Sequence, residues 1–475
     1  MTDQTRLTLK ANESVAVRMY GQGFGDCFLL AFPRAGQDGR KRPVYVVVDC
    51  GVFAMTPGGP TRMRAVVEDI RAATAARVDL LVVTHEHYDH VSGFEQAKAT
   101  WQSIAVQQIW LAWTENPADR TAQAVNRERR ALRTQVAAAL VEVLGTQAAA
   151  RRLGVDELEA PDRFSPVTDA ILEDLATVPE RRLGAATSSS VAFLAPGEVH
   201  VVPKTAVDAY VLAPPRAAER LAYRPAADPG FGEDLVWQRG FESETPVEAP
   251  FPNAMTLTQA QARQDRFFRS TYYEGEPARR IDAAWLSRYN QLALQFERVT
   301  NNTSLVLAFR LPDGRVLLFP GDAEAGSWLS WWDLKAEDWH RTNGRKPRHH
   351  PEVDELLRRV VLYKVSHHGS DTGTPPNPGL SVLGDDLIAL VPSSVHYPQD
   401  NRDWTIPSPA LMGLLRTATG QRVVCPQPEL DAVNIRPDFR DAVQSAADML
   451  GPVVSQGTVL EGPVPLWREV RLRRS

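Results

Sequence analysis

The stretch Thr84 to His90, which reads Thr-His-Glu-His-Tyr-Asp-His, contains four side chains that can bind a metal. It directly follows Leu80 to Val83, a wholly apolar run that is typical of a strand buried on both faces. Four such groups packed together repel protons and lose solvation unless a cation compensates them. The pattern therefore predicts a metal centre at the carboxyl end of a buried strand.

The spacing within this cluster predicts two metal positions. His85 and His87 are two residues apart and are expected to hold one divalent ion through imidazole nitrogens. Asp89 and His90 are expected to turn toward a second ion nearby. Thr84, immediately before the histidines, is expected to support the ligands from behind.

Other segments show the same layout, in which an apolar strand is followed by polar residues. The chain opens with predicted strands that form an antiparallel unit, and a helix follows them: Val15–Tyr20, Cys27–Phe32, Val44–Asp49 and the helix Arg62–Ala76. Later strands are predicted at Gln107–Ala112, Phe193–Val202, Val207–Leu212, Ser304–Arg310, Arg315–Phe319, Val360–Val365 and Leu387–Val391. We expect one elaborated α/β domain over residues 1–475, with insertions at about 115–190 and 215–295 and a long helix, Pro117–Leu153, in the first of them.

The His85–His90 segment, HEHYDH, resembles the HxHxDH signature of the metallo-β-lactamase superfamily. A closer resemblance is to the metal-dependent domain of ComEC-type competence proteins. It rests on five segments that occur in the same order: Gly21–Leu30 (GQGFGDCFLL), Asp49 with Gly51, Asn302–Leu307 (NTSLVL), Gly321-Asp322 and Lys364–Ser370 (KVSHHGS). The resemblance implies a four-layered αββα sandwich and covers neither insertion.

Further site residues follow from this resemblance. Asp322 is similar to the carboxylate that bridges both metals, and Asp49 to a carboxylate that orients a ligand loop without touching metal. One histidine of the pair His367 and His368 is similar to the last ligand of the second metal; His368 is slightly favoured. The other histidine would then face the substrate and could give a proton to the leaving oxygen, so Asp89, His367 and His368 are the candidate catalytic residues.

Two further features concern the edges of the predicted site. Ser370 and His396 occur where ComEC-type domains have polar loops near the substrate, so both are candidate substrate-binding residues. His200 is the only histidine between HEHYDH and Asp322 in the sequence. It lies in a strand-like segment, and we do not expect it to bind metal. The first ion would then be held by His85, His87, Asp322 and water.

The chemistry expected of such a site is hydrolysis. Two divalent ions, with zinc favoured and manganese as the alternative, would provide a metal-activated hydroxide at neutral pH. The HHGS and NTSLVL segments favour a phosphodiesterase or nuclease that acts on nucleic acid or a nucleotide. The alternatives are a hydrolase of a small ester, lactone or phosphocholine-type substrate, and a non-catalytic metal-binding subunit of a larger assembly.

Composition excludes several classes of partner, location and metal site. The net charge of -5 provides no global basic field for long DNA, and no apolar run is long enough to span a membrane. The N-terminal residues are polar, so a cytoplasmic protein without a membrane partner is expected, and no protein partner is indicated. Three cysteines without CxxC spacing argue against a disulfide framework and against a thiolate zinc site.

Overall fold

The computed structural model describes several stretches of the chain, with gaps between them. The described residues are 6–35, 42–53, 56, 58–144, 190–223, 264–266, 269, 298–341, 347, 349–393, 406–426, 443–445, 449–450, 454–455, 458–459 and 464–474. His396 and most of both predicted insertions lie outside these residues.

Eight strands of the described residues form the first sheet. In spatial order they are β16 (Val443–Ser445), β21 (Trp467–Arg473), β1 (Glu13–Tyr20), β2 (Cys27–Phe32), β3 (Val44–Cys50), β5 (Leu80–Val82), β7 (Gln108–Ala112) and β8 (Ser190–Leu194). The strands from β16 to β3 pair antiparallel, and those from β3 to β8 pair parallel. Crossover connections are required wherever neighbouring strands are parallel.

The second sheet has the same division into an antiparallel part and a parallel part. In spatial order its strands are β15 (Val423–Val424), β14 (Ile388–Leu390), β13 (Val360–Lys364), β12 (Val316–Phe319), β11 (Val306–Arg310), β10 (Asp208–Ala213) and β9 (Val199–Val201). Pairing is antiparallel from β9 to β12 and parallel from β12 to β15. The recurrence agrees with the repeated strand-then-polar-loop layout of the sequence.

The described helices include those that cover the outer faces of the two sheets. They are α1 (Gly59–Ala73), α2 (Tyr88–Gln96), α3 (Lys98–Trp101), α4 (Arg120–Leu144), α5 (Ala218–Leu221), α6 (Ala325–Trp331), α7 (Val353–Leu357) and α8 (Pro409–Ala418). Small two-stranded pairs are also described: β4 (Arg77–Val78) with β6 (Ala105–Val106), β17 (Met449–Leu450) with β20 (Val464–Pro465), and β18 (Val454–Ser455) with β19 (Thr458–Val459). Short 3-10 helices occur at Trp113–Glu115, Ala336–Asp338, Ser366–Gly369 and Leu380–Val382.

Three apolar clusters show that the layers stack as helix, sheet, sheet, helix. Residues at alternate positions of β1 belong to different clusters: Val15 and Val17 face the second sheet, whereas Ala16 and Tyr20 face α1 and α2. The outer face of the second sheet packs against α6, α7 and α8. Burial on both faces explains why the strands are nearly continuous apolar runs. The predicted αββα sandwich is therefore confirmed.

Some predicted boundaries were wrong, each for an identifiable reason. The predicted strand Phe193–Val202 is two strands, because Pro196 and Gly197, the latter with φ 87°, turn the chain between them. Helix α1 begins three residues before the predicted Arg62, since Pro60 occupies its first turn.

The chain divides into two compact units. The first comprises Met1–Val125, Phe164–Phe231 and Val299–Ser475, and it contains both sheets. The second comprises Asn126–Arg163 and Gly232–Arg298, of which the structure describes mainly the helical residues up to Leu144. Among the described residues, none of the helices combines the length and the apolar character that crossing a bilayer requires.

Candidate metal centre

The candidate centre lies where the parallel strands of both sheets end. HEHYDH follows β5, and Asp49 is the penultimate residue of its neighbour β3. In the second sheet Asp322 follows β12, and the two adjacent histidines follow the parallel strand β13. The carboxyl ends of adjacent parallel strands meet at one edge of a sheet, so each sheet presents one half of the centre.

A β-bulge aims Asp49 into the centre. The register between β2 and β3 shifts at this residue, because Phe28 faces Val48 whereas Cys27 faces Cys50, and Asp49 has a φ of 54°. Bulges next to functional sites commonly redirect a side chain in this way. The carboxylate of Asp49 accepts hydrogen bonds from the backbone N–H and the hydroxyl of Thr84, both at 2.7 Å, and its Oδ2 lies 2.8 Å from Nδ1 of His90. Asp49 and Thr84 thus hold the ligand loop from behind.

His85 and His87 form a facing pair. Nε2 of His85 lies 3.0 Å from Nδ1 of His87, and Nδ1 of His85 lies 3.1 Å from Oγ1 of Thr84 and 3.3 Å from Oγ of Ser304. Burial lowers the pKa of both rings, that of His87 to about 4, and the neighbouring imidazoles lower the pKa of His85 further. Both rings are therefore neutral at pH 7, which is the form that binds metal.

A second set of side chains converges on Asp322. Its Oδ2 lies 3.0 Å from Nε2 of His90 and 3.0 Å from Nε2 of His368, and Nε2 of His368 lies 2.9 Å from Oδ2 of Asp89. His90, His368 and Asp322 are almost completely buried. The group of Asp26, His90, Asp322 and His368 is close enough to hold a metal ion.

These side chains fit a divalent ion. Within the described part of the chain, Nε2 of His90 and Nε2 of His368 are buried without a partner in hydrogen-bond geometry. An unsatisfied buried polar atom is costly, and a cation between these nitrogens and the carboxylates would remove that cost. Mixed imidazole and carboxylate donors suit zinc and similar transition metals.

The carboxylates dominate the electrostatics of this second set. Burial alone would lower the pKa of His90, but Asp322, Asp26 and Asp49 raise it to about 10. The pKa of His368 is also raised, against burial, by Asp322 and Asp26. Without a metal these rings carry protons, which a bound cation would replace.

The two adjacent histidines point in different directions because their backbone is left-handed. His367, His368 and Gly369 have φ values of 48°, 51° and 87°. A non-glycine residue in this region costs about 1–2 kcal/mol, so two in succession mark a strained turn of the kind found at functional sites. His368 is buried against the ring of Phe24, with centroids 4.4 Å apart, whereas the His367 side chain is 23% exposed.

His367 lies at the edge of the centre among polar side chains. Its Nδ1 is 3.1 Å from the Thr372 hydroxyl and 3.5 Å from Oε1 of Glu324, and its Nε2 is 3.5 Å from Nδ2 of Asn301. The Asn301 amide donates to Glu324 at 2.8 Å. Ser370 is near this group, with its hydroxyl 3.2 Å from that of Thr372.

Sequence reasoning missed two charged residues of the centre, Asp26 and Lys364. Lys364 is fully buried and donates to the Gly321 carbonyl at 2.7 Å and to Oδ1 of Asp322 at 3.1 Å; it is also 2.5 Å from Oδ2 of Asp26. Burial would lower the pKa of Lys364, but these two carboxylates raise it. Asp26 lies within GQGFGDCFLL and Lys364 within KVSHHGS, so the resemblance of these two segments to known domains could have indicated both residues.

His200 lies on the last strand in the order of the second sheet. It is on β9, with Nε2 2.9 Å from Glu198 and its ring 5.4 Å from that of Trp110. Trp328, Trp331 and Trp339 are buried in the core.

The comparisons with known proteins agree with this geometry. Residues 44–186 match the family model described as the metallo-beta-lactamase superfamily. No curated protein matches the chain. The matched region contains Asp49 and HEHYDH, whereas Asp322 and His368 lie beyond it. Residues 44–186 thus resemble the metallo-beta-lactamase superfamily, and the αββα sandwich and the buried His/Asp cluster are consistent with a metal-dependent hydrolase.

Proposed function

We propose that this chain is a phosphodiesterase or nuclease that uses two divalent ions, with zinc as the favoured metal, to cleave a nucleic acid or a nucleotide. The observation that carries the proposal is the pairing of a buried candidate ligand, His368, with an adjacent, partly exposed histidine, His367. The ComEC-like segments add support, because Oγ of Ser304 in NTSLVL lies 3.3 Å from Nδ1 of His85 and accepts a hydrogen bond from N–H of Asp322.

The residues of the chain divide the work of such a reaction. His85 and His87 would hold one ion, and Asp89, His90 and His368 the other, with Asp322 between them. The chemistry that bound ions supply is Lewis-acid activation of water and of the scissile phosphoryl oxygen. Asp49 keeps His90 oriented by contacting its Nδ1.

His367 supplies the remaining requirement of phosphodiester cleavage. Water adds to phosphorus, the bond to the leaving oxygen breaks, and an alkoxide leaving group needs a proton. A partly exposed imidazole beside the centre, supported by Thr372 and Glu324, is suited to give that proton to the leaving oxygen. Asn301 lies beside the same ring and would contact the substrate there.

The test of this function compares classes of substrate. The purified protein, loaded with zinc or manganese, is assayed on single-stranded DNA, bis-p-nitrophenyl phosphate, a p-nitrophenyl ester, a lactone and a phosphocholine ester. Cleavage of the first two substrates supports the proposal, and turnover of the ester or lactone alone refutes it. Failure to cleave any substrate, together with full biological activity of a His87→Ala variant, would indicate a non-catalytic subunit instead.

A His367→Gln variant tests the proton donor. We expect DNA cleavage to fall by about 10²–10⁴-fold, the usual contribution of general acid catalysis. Bis-p-nitrophenyl phosphate should be affected much less, because nitrophenolate leaves without a proton. His340→Gln is the matched control, since His340 is exposed and contacts the Asp338 carbonyl. Equal losses on both phosphoesters would rule out the assigned role.

A further inference from the structure

His90 and His368 each lie between two carboxylates. Each presents Nε2 to Oδ2 of Asp322 at 3.0 Å. Behind His90, Oδ2 of Asp49 lies 2.8 Å from Nδ1 in hydrogen-bond geometry, and behind His368, Oδ1 of Asp26 lies 3.2 Å from Nδ1 without that alignment. A carboxylate at one ring nitrogen fixes the tautomer and orientation in which the other nitrogen binds a metal.

Asp26 is itself fixed in place. Its backbone N–H donates to the Asp89 carbonyl at 3.0 Å, and its carbonyl accepts from N–H of Gly51 at 2.9 Å. Its carboxylate contacts the buried ammonium of Lys364, which also holds Oδ1 of Asp322. This leaves one oxygen of each carboxylate, Oδ1 of Asp26 and Oδ2 of Asp322, to face His368.

Asp26 is close enough to be a ligand, but it lies on the opposite side of the histidines from an ion that is bound through both Nε2 atoms. An imidazole ring directs its two nitrogens away from each other, so it cannot offer both to one cation. Asp26 contacts the Nδ1 side of His368 and is 3.8 Å from Nδ1 of His90, whereas Asp89 and Asp322 are on the Nε2 side of His368.

We propose that Asp26, held by Lys364, is a positioning residue that orients His368 for metal binding, as Asp49 orients His90. The proposal rests on the metal centre of the proposed function but not on its substrate. In the metal-bound protein Oδ1 of Asp26 would accept the Nδ1 proton of His368, which would leave Nε2 free to bind the ion.

The experiment measures zinc affinity by competition with a chromophoric chelator, on folded protein verified by circular dichroism. Asp26→Asn should weaken zinc binding by about 10–100-fold, as should Asp49→Asn, which is the usual effect of losing such a partner. Asp79→Asn is the matched control: Asp79 is a fully buried carboxylate that contacts Arg34, and its loss should leave affinity within about twofold.

If Asp26→Asn unfolds, Asp26→Asn/Lys364→Met removes both members of the buried pair, and Lys364→Met alone measures the loss of the Lys364–Asp322 contact. Orientation by Asp26 predicts that the double variant still binds zinc at least about tenfold more weakly than the wild type. Recovery of wild-type affinity would overturn the proposal, since only charge balance would then matter.

Nuclear magnetic resonance provides an independent readout. Long-range ¹H–¹⁵N spectra of the zinc-loaded wild type should show His368 bound through Nε2 and protonated at Nδ1. Zinc bound to Nδ1 of His368, or an Asp26→Asn variant with wild-type affinity, would overturn the proposal. A wild-type protein that binds no zinc would instead refute the metal centre itself, so the two failures are distinguishable.

Discussion

The addition of a single methyl group at Gly51 should damage the candidate metal centre. A Cβ added there would lie 2.3 Å from the carbonyl carbon of Asp89 and 2.4 Å from N of His90. Ordinary contacts begin near 3.4 Å, so Gly51→Ala must move this backbone by about 1 Å. Metal sites tolerate ligand displacements of only about 0.2 Å. We therefore expect zinc affinity to fall by more than about 100-fold, a loss of roughly 3 kcal/mol.

The assay for Gly51→Ala combines chelator competition with urea unfolding of the metal-free protein. Overpacking costs about 1–3 kcal/mol of folding free energy, so the variant should remain folded. Gly413→Ala is the matched control: it lies in α8 with no atom within 4 Å of the added carbon, and alanine there should stabilise by up to about 1 kcal/mol. Zinc affinity of Gly51→Ala within about threefold of the wild type would refute the close packing of these backbones.

The other predictions concern the bound metal and its competition with protons. Removal of zinc with a chelator should lower the melting temperature by roughly 3 °C, because an ion at 100 times its Kd stabilises by about 2.7 kcal/mol and the unfolding entropy of 475 residues is about 1 kcal/mol/K; an unchanged melting temperature would contradict this. The pKa values of His90 (about 10) and His368 lie above their ordinary values, so both rings are protonated in the metal-free protein at pH 7 and zinc must displace those protons. Zinc affinity should therefore rise as the pH rises from 6 toward 10, and calorimetry in two buffers should detect proton release at pH 7; binding without release would contradict the assignment. His200→Ala should leave the zinc content unchanged by elemental analysis, since His200 pairs with Glu198, and a lost ion would make it a ligand.

The residues of the centre that could be predicted from their spacing alone are those that lie close together in the sequence. HEHYDH is recognisable because four donors lie on one loop after one buried strand. Asp322 and His368 are single residues in common turn sequences, so only the resemblance to known domains drew attention to them. The structure places both beside His90.

Asp26 and Lys364 show why the rest could not be predicted. A lone aspartate after a glycine-rich turn and a lysine at the end of a strand have ordinary local explanations. Their contact joins two segments that are far apart in the chain, and only the packing of one sheet on the other brings them together. The pairing of β21 with β1 was equally hidden, because the partner of a strand at the chain's end is set by the tertiary fold.

Both sheets contribute side chains to the candidate metal centre, so the complete set of ligands forms only when the two sheets pack together. One sheet contributes Asp49 and the HEHYDH loop, and the other contributes Asp322 and His368. Neither half of the ligand set can bind an ion tightly before the sheets meet, so the ion adds its binding energy to their docking. The stability of the packed sheets should therefore rise with zinc concentration, so the metal links folding to the assembly of the sandwich.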